Sequence, residues 1–363
     1  MNNLMQILAF PRYSSNGPSS RVRMYNYLPY LKDAGFKVET YPFFDPSYID
    51  DFFSGKKKNI LQIFKAYWRR IVLILKADKS QFFWLQYELL PWVPFWIEKL
   101  LLNRCNHLVI DYDDAVFDRY RNHPFFLVRW FLGNKISRLM GIASITVVGN
   151  QYLADYAHRS GASHVVVIPS VIDLEKFQPK RWEKDGGPHL RIGWIGSPST
   201  VHYLLLIKDA ILASITKGCT FTIIGADIPE PLRVVGVSSL QWTIDNEGEL
   251  LHLLDVGVMP LEAASFEKGK CGYKLIQYMA CGLPVVASPV GVNTQIVRHG
   301  ENGYLAESES DWNKAFVELH DRNLKIRMGN AGRRLVESTY NYAVQSKTLI
   351  DIFKTSFRHK KEN

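Results

Sequence analysis

Cysteine is scarce in this chain. Cys105, Cys219, Cys271 and Cys281 are the four among 363 residues, and none makes a CxxC pair or another metal-ligand spacing. That excludes a disulfide scaffold and a zinc ribbon and fits a reduced, cytoplasmic compartment. Long apolar runs are missing as well: nothing reaches the ~18 residues a spanning helix needs. Residues 82–102 come nearest, and Glu88, Pro91, Pro94, Glu98 and Lys99 break them. No basic region with a long apolar run opens the sequence; 7–10 is too short for a signal peptide and reads as a strand. Internal repeats and long low-complexity segments are absent. Acid is in short supply, 35 Asp and Glu against 44 Lys and Arg, for a net charge of +9. Such an excess favours an anionic partner: a phosphorylated ligand, nucleic acid or an acidic membrane surface. No nucleic-acid recognition motif accompanies it, so nucleic acid is not expected.

What is present suits a two-domain globular chain, with 47% apolar and 22% charged residues. Apolar runs bounded by turn residues predict buried strands at 6–10, 82–86, 107–111, 144–148, 165–169, 191–195, 221–224, 256–260 and 284–287. Helical patterns fall at 21–35, 150–160, 200–214, 247–254, 272–281, 311–319 and 322–358. Continuous apolar strands separated by helices indicate parallel sheets covered on both faces. The polar stretch "RWEKDGGPHL" (181–190) interrupts the series once. The expected α/β architecture is therefore two doubly wound domains, residues 1–180 and 190–340, with a C-terminal helix at about 340–363 returning to the first. Ligands are expected where loops leave the carboxyl ends of the strands.

Two stretches carry candidate chemistry. In "RIGWIGSPSTVHYL" (191–204) a strand ends at Gly196 and a helix is expected to follow, with Ser197 as N-cap and Thr200 in its first turn. Such a start offers N–H groups to an anion, though simple capping needs only Ser197. In "KCGYKLIQYMACGLPVVASPVGVN" (270–293) Lys270 and Gly272 precede a helix beginning near Tyr273. Gly272 lets a backbone approach a ligand, and Lys274 and Gln277 share a helix face. The two ammoniums and the helix start would hold a diphosphate, and Gln277 a ribose or sugar hydroxyl. A basic surface helix accounts for the lysines alone.

The stretch 270–306, with "VVGNQYLADYA" (147–157), "VIPSVIDLEKFQP" (167–179), "IGWIGSPST", "LLDVGVMPL" (253–261) and "GPSSRVRMYNYLPYLKDAGFKV" (17–38), resembles retaining glycosyltransferases of family 4. The resemblance implies the GT-B fold, two Rossmann-like doubly wound domains facing each other across a cleft. It implies a nucleotide-diphosphate sugar as donor substrate, no metal and no further cofactor. Family members commonly carry two glutamates eight positions apart in the donor loop; here those positions are Gly269 and Gln277, so either Glu262 or Glu267 compensates or the sugar is held differently. Many relatives have a His-Asp pair after an N-domain strand, where "VIDYDDAVFDRY" (109–120) offers Asp113 and Asp114. That acidic pair would orient an acceptor hydroxyl or accept its proton.

Sugar transfer develops negative charge on the leaving diphosphate, and without a metal the protein's cations and helix dipoles must stabilise it. Lys274, Lys270 and the helix start after Gly196 are the candidates, with Arg21 and Arg23, after Ser20, reaching from the N-terminal domain. Trp242 either lies near the nucleobase or fills the core. The segment 56–76, "KKKNILQIFKAYWRRIVLILK", holds seven Lys and Arg and no acid. It reads either as a helix on an anionic membrane surface, bringing the enzyme to a lipid-linked acceptor in cell-surface polysaccharide synthesis, or as a core helix with a basic face.

Overall fold

The computed structural model describes residues 5–53, 59–78, 81–182 and 189–362. Two units emerge. The first contains Met1–Ser170, Gly269–Cys271 and Tyr342–Asn363; the second contains Val171–Lys268 and Gly272–Asn341.

The first unit is built on strands β1 (Met5–Phe10), β2 (Phe36–Thr40), β3 (Phe82–Gln86), β4 (His107–Tyr112), β5 (Ile145–Val148) and β6 (Val165–Val167). They form one sheet in the order β2-β1-β3-β4-β5-β6, and every pairing is parallel. The second unit repeats the plan with β7 (Arg191–Ile195), β8 (Thr220–Ile224), β9 (Val237–Leu240), β10 (Val256–Met259), β11 (Val285–Ala287) and β12 (Gly303–Leu305). Its order is β12-β11-β10-β7-β8-β9, again all parallel. Strand order reverses between β1 and β3 in one sheet and between β7 and β10 in the other. Those are the switch points where doubly wound sheets take ligands.

The central strands follow from their sequences. Every residue of β3 is buried, as in β5 and β10, which is why unbroken apolar runs announced them. The strands absent from the sequence reading, β2, β9 and β12, lie at or beside sheet edges. They are mostly half-buried or exposed and carry polar or few apolar residues, so no apolar run marks them. Helix starts carry their own chemistry. The Asn59 side chain accepts from Leu61 N and Gln62 N at the head of Ile60–Lys76. Asn150 caps Gln151–Arg159, and Ser308 forms a capping box with Asp311.

Four expectations change. The helix at 21–35 is broken into Pro18–Arg23, a 3-10 turn at Tyr25–Tyr27, and Leu28–Asp33 with a proline in its first turn. The helix at 200–214 begins as a 3-10 segment, Val201–Ile207, before Lys208–Thr216. The helix at 322–358 is two, Arg322–Ser338 and Tyr342–Glu362, because the Asn341 amide turns back onto Val336 O and Glu337 O. The division between units falls at Ser170 and Val171, since Ile172, Phe177 and Trp182 are buried with Leu275, Tyr278 and Met279. Most of the 181–190 stretch lies outside the described residues, as do Lys56, Lys57 and Lys58. No helix among the described residues is long and apolar enough to cross a membrane.

Candidate active site

In the first unit the polar residues gather where β1, β3 and β4 end. Gln86 is the last residue of β3 and is fully buried. Its amide oxygen accepts from Arg12 N at 2.9 Å and Ser20 Oγ at 2.5 Å, while its Nε2 donates to Ser19 Oγ at 2.8 Å. Ser19 Oγ donates to Asp113 Oδ2 at 2.7 Å. The Tyr87 hydroxyl donates to Asp113 Oδ1. Tyr87 holds a positive φ of 65°, a conformation that costs a non-glycine residue energy and persists where surroundings impose it.

Asp113 is thus held through both carboxylate oxygens and fixes the loop. Asp114 is different. Its Oδ1 accepts from Ala115 N at 3.1 Å, and its Oδ2 meets Lys270 Nζ at 4.0 Å. Burial pushes the Asp114 carboxyl up to about 6; Lys270 pulls it down and Asp113 adds to the rise. A carboxyl titrating there changes its proton near working pH and suits acid–base work.

The tripeptide Gly269–Cys271 belongs to this unit. Asn150 Nδ2 donates to Gly269 O and Lys270 O, each at 2.9 Å, and Cys271 Sγ donates to Asp113 O at 3.1 Å. Position 269 has no room for a side chain. A Cβ there would lie 2.5 Å from Ala115 Cβ and 2.8 Å from Ala115 N.

In the second unit the site forms at the end of β7, beside its switch point with β10. Lys274, in the first turn of the helix Tyr273–Ala280, sets its Nζ 4.1 Å from the centroid of the Trp194 ring. The same Nζ reaches Thr200 Oγ1 at 3.4 Å. Gly196 lies directly beneath: a Cβ there would stand 2.6 Å from Lys274 Nζ and 2.5 Å from the Trp194 ring. Ser197 Oγ pairs with Ser199 Oγ at 2.8 Å and Thr200 Oγ1 at 3.4 Å. Three hydroxyls of the 197–200 loop therefore lie beside one ammonium from the helix, a set suited to phosphate oxygens. Gly272 precedes the helix with φ 66°, and a Cβ there would strike Ile296; both facts require glycine.

Several candidates hold other places. Arg23 does not reach a ligand: it is 1% exposed, bonded bidentately to Asp111 at 2.8 and 2.9 Å and to Ile168 O at 2.7 Å. Ser20 is buried and spent on Gln86 and Tyr13 N. Arg21 stands on the same helix, half-buried. Gln277 is buried and donates to Glu247 Oε1 at 2.6 Å, so its amide nitrogen is not offered to a sugar. Ser197 caps no α-helix, because the chain turns into the 3-10 segment first. Trp242 packs at the edge of the second unit's core. Glu267 is buried and accepts from the Tyr203 hydroxyl, leaving Glu262 as the exposed carboxylate of that loop. Arg70 is buried against backbone carbonyls and Arg69 pairs with Asp45, so neither is a spare cation. Ser19, Gln86, Tyr87 and Asn150 escaped the sequence reading as site residues. The one local signal was a polar Gln-Tyr pair ending a wholly apolar strand. Among the described residues no group of three or more His, Cys, Asp or Glu could hold a metal ion.

Residues 189–322 match the family described as Glycosyl transferases group 1. The chain is 31% identical over 116 residues to N-acetyl-alpha-D-glucosaminyl L-malate synthase of Bacillus anthracis, covering 31% of this chain and 28% of that protein. It is 38% identical over 80 residues to D-inositol 3-phosphate glycosyltransferase of Pseudarthrobacter chlorophenolicus, covering 21% of this chain and 18% of that protein. The matched stretches thus span less than a third of either relative. Sucrose-phosphate synthase from Thermosynechococcus elongatus has the same fold, with TM-score 0.71 at 16% identity over 98% of this chain and 100% of that one. Anabaena HepE, solved in complex with UDP-glucose, gives TM-score 0.70 at 15% identity over 97% and 100%. The architecture is that of GT-B structures.

Proposed function

We propose that this chain, which carries a glycosyl transferases group 1 domain on the GT-B fold, moves a sugar from a nucleotide-diphosphate sugar to an acceptor hydroxyl with retention at the anomeric carbon. The observation that carries the reading is Lys274, whose ammonium stands beside Thr200 and Gly196 at the end of β7. When the glycosidic bond breaks, the diphosphate gains negative charge. An ammonium fixed against an indole face meets that charge without reorganising. The bare backbone at Gly196 lets the Trp194 ring and the Lys274 ammonium close over the loop, and the hydroxyls of Ser197, Ser199 and Thr200 supply donors. Asp114, with Lys270 beside it, is the acceptor-side acid–base pair, and Asp113 holds its loop. The acceptor we favour is a lipid-linked saccharide of cell-surface polysaccharide synthesis.

Position 269 favours a second reading, a non-catalytic nucleotide-sugar binder, because the usual glutamate is absent and has no room there. One assay separates the two. A thermal-shift panel, beginning with UDP-glucose because the Anabaena protein was solved with it, finds the donor. Release of nucleotide diphosphate from that donor is then measured. Turnover supports the transferase; stabilisation by the donor without turnover supports the binder and overturns the transferase.

A further inference from the structure

Five large apolar side chains stand together in solvent on the first unit. Phe125, Phe126, Leu127, Trp130 and Phe131 are between 52% and 72% exposed. The helix Phe126–Leu132 buries only Leu132. Its residues 126, 127, 130 and 131 fall on one helical face, so the exposed stripe is continuous. Soluble proteins scatter single apolar residues over their surfaces but rarely cluster aromatics in this way.

The stripe does not stand alone. Trp92 sets its ring edge-on to Tyr120 at 5.1 Å and to His123 at 5.5 Å, just before Phe125. The Tyr67 hydroxyl donates to Pro91 O. That bond stitches the helix Ile60–Lys76 to the same turn, and this helix exposes Ile60, Phe64 and Trp68 four residues apart. On the helix Phe95–Leu102, Trp96 and Leu100 are exposed in the same way. Three helices of the first unit, Ile60–Lys76, Phe95–Leu102 and Phe126–Leu132, therefore each leave apolar side chains exposed.

The charges on these segments are mostly positive. Between 117 and 142 the acids are limited to Asp118, against Arg119, Arg121, Arg129 and Arg138, with Lys135 buried on Glu88 and Glu98; between 60 and 76 there is no acid. Lys65, Lys99, Arg121, Arg129 and Arg138 are exposed. Arg129 lies 6.0 Å from the Phe126 ring centroid, with Nη1 bonded to His123 O and Pro124 O. Arg138 lies 5.7 Å from that of Phe95. A protein interface ordinarily has a rim of both signs. Aromatic and aliphatic side chains ringed by arginine and lysine match instead a lipid interface: rings at the headgroup boundary, cations on phosphates.

We infer that the turn and helix at 125–132 form a wedge that inserts into an anionic bilayer interface, with the exposed stripe of Ile60–Lys76 as a second point of attachment. This rests on the lipid-linked acceptor of the proposed function for its purpose and on the surface alone for its evidence. The wedge places the first unit on the membrane surface, and its cationic contribution weakens with salt as the charges are screened.

The test uses the full chain and vesicles of phosphatidylcholine with or without phosphatidylglycerol. Wild type sediments with the anionic vesicles, and lipids brominated along the acyl chain quench its tryptophan fluorescence. The double variant Phe126→Ser/Trp130→Ser alters exposed side chains, so its thermal unfolding matches wild type. Its partitioning falls about tenfold or more. The variant Phe64→Ser/Trp68→Ser falls less. Three results overturn the inference: no sedimentation of wild type at low salt, equal sedimentation of wild type and the 126/130 variant, or a dimer in solution that the variant dissolves without any vesicle binding. Donor turnover is read without lipid, so its loss or survival judges the transferase reading separately.

Discussion

Restoring the glutamate that relatives commonly carry in the donor loop should harm this protein. At position 269 the direction a side chain must take is occupied by Ala115: a new Cβ would sit 2.5 Å from its Cβ, 2.8 Å from its N and 3.1 Å from its Cα. Carbon atoms rest about 3.5–4.0 Å apart, so the tripeptide or the Ala115 turn must yield by roughly 1 Å. Both are pinned, the tripeptide by Asn150 and the turn by the Cys271–Asp113 bond. Overpacking of this kind costs about 1–3 kcal/mol, and 1 kcal/mol moves Tm by roughly 2–4 °C in a domain of 150–250 residues. Gly269→Ala should therefore lower Tm by about 2–12 °C. Gly269→Glu should lower it at least as far, while pushing Lys270 away from Asp114 and reducing turnover. Calorimetry of the three proteins, with donor turnover measured at a temperature where all are folded, decides the matter. A Gly269→Glu protein with wild-type Tm and higher turnover would refute the packing argument and show that the site had room for the missing carboxylate.

Lys274→Ala should cut donor turnover by about 3–4 kcal/mol in barrier terms, near two to three powers of ten, with little loss of fold; unchanged turnover would remove Lys274 from the leaving-group site. Asp114, used as a base, must be ionised, so kcat/KM should fall as pH drops through about 6. Asp114→Asn should abolish that limb while leaving donor binding intact, and an unchanged acid limb in the variant would sink the assignment. Burial pushes Glu98 up to about 7, against Lys135 pulling down and with Glu88 adding to the rise. A raised acid stabilises the fold fully below its unfolded value of 4.5, and that contribution is lost as pH rises through about 7. Wild-type Tm should thus fall between pH 5 and 8 more steeply than that of Glu98→Gln; parallel curves would show that the carboxyl is not held protonated.

How much of this was legible in the sequence depended on distance along the chain. Strands 82–86 and 191–195 were readable because a doubly covered strand reads as a nearly continuous apolar run, whereas edge strands such as Phe36–Thr40 need only one buried face. Lys274, Gly272 and Gly196 were legible because a glycine or a first-turn lysine states its role locally. Arg23 and Gln277 were misjudged for a related reason: spacing tells which helix face a residue occupies but not whether another element covers that face. The partners that bury them, Asp111 and Glu247, lie 88 and 30 residues away. The same holds for the Ser19–Gln86–Tyr87–Asp113 cluster, whose members come from three distant stretches of chain and meet only once the sheet has formed.

The second unit leaves and returns at neighbouring points: Ile172 N bonds to Tyr340 O at 3.0 Å, and Ile172 bridges Asn341. In connectivity it is an insertion into the first unit, whose own chain resumes at Tyr342. A module with adjoining ends is a natural unit of exchange, because grafting a different 171–341 segment leaves both flanking ends where they were. Gly269–Cys271 would travel with the graft although they fold with the recipient. Chimeras that exchange this cassette should therefore fold only when those three residues suit the Asn150 and Ala115 of the host.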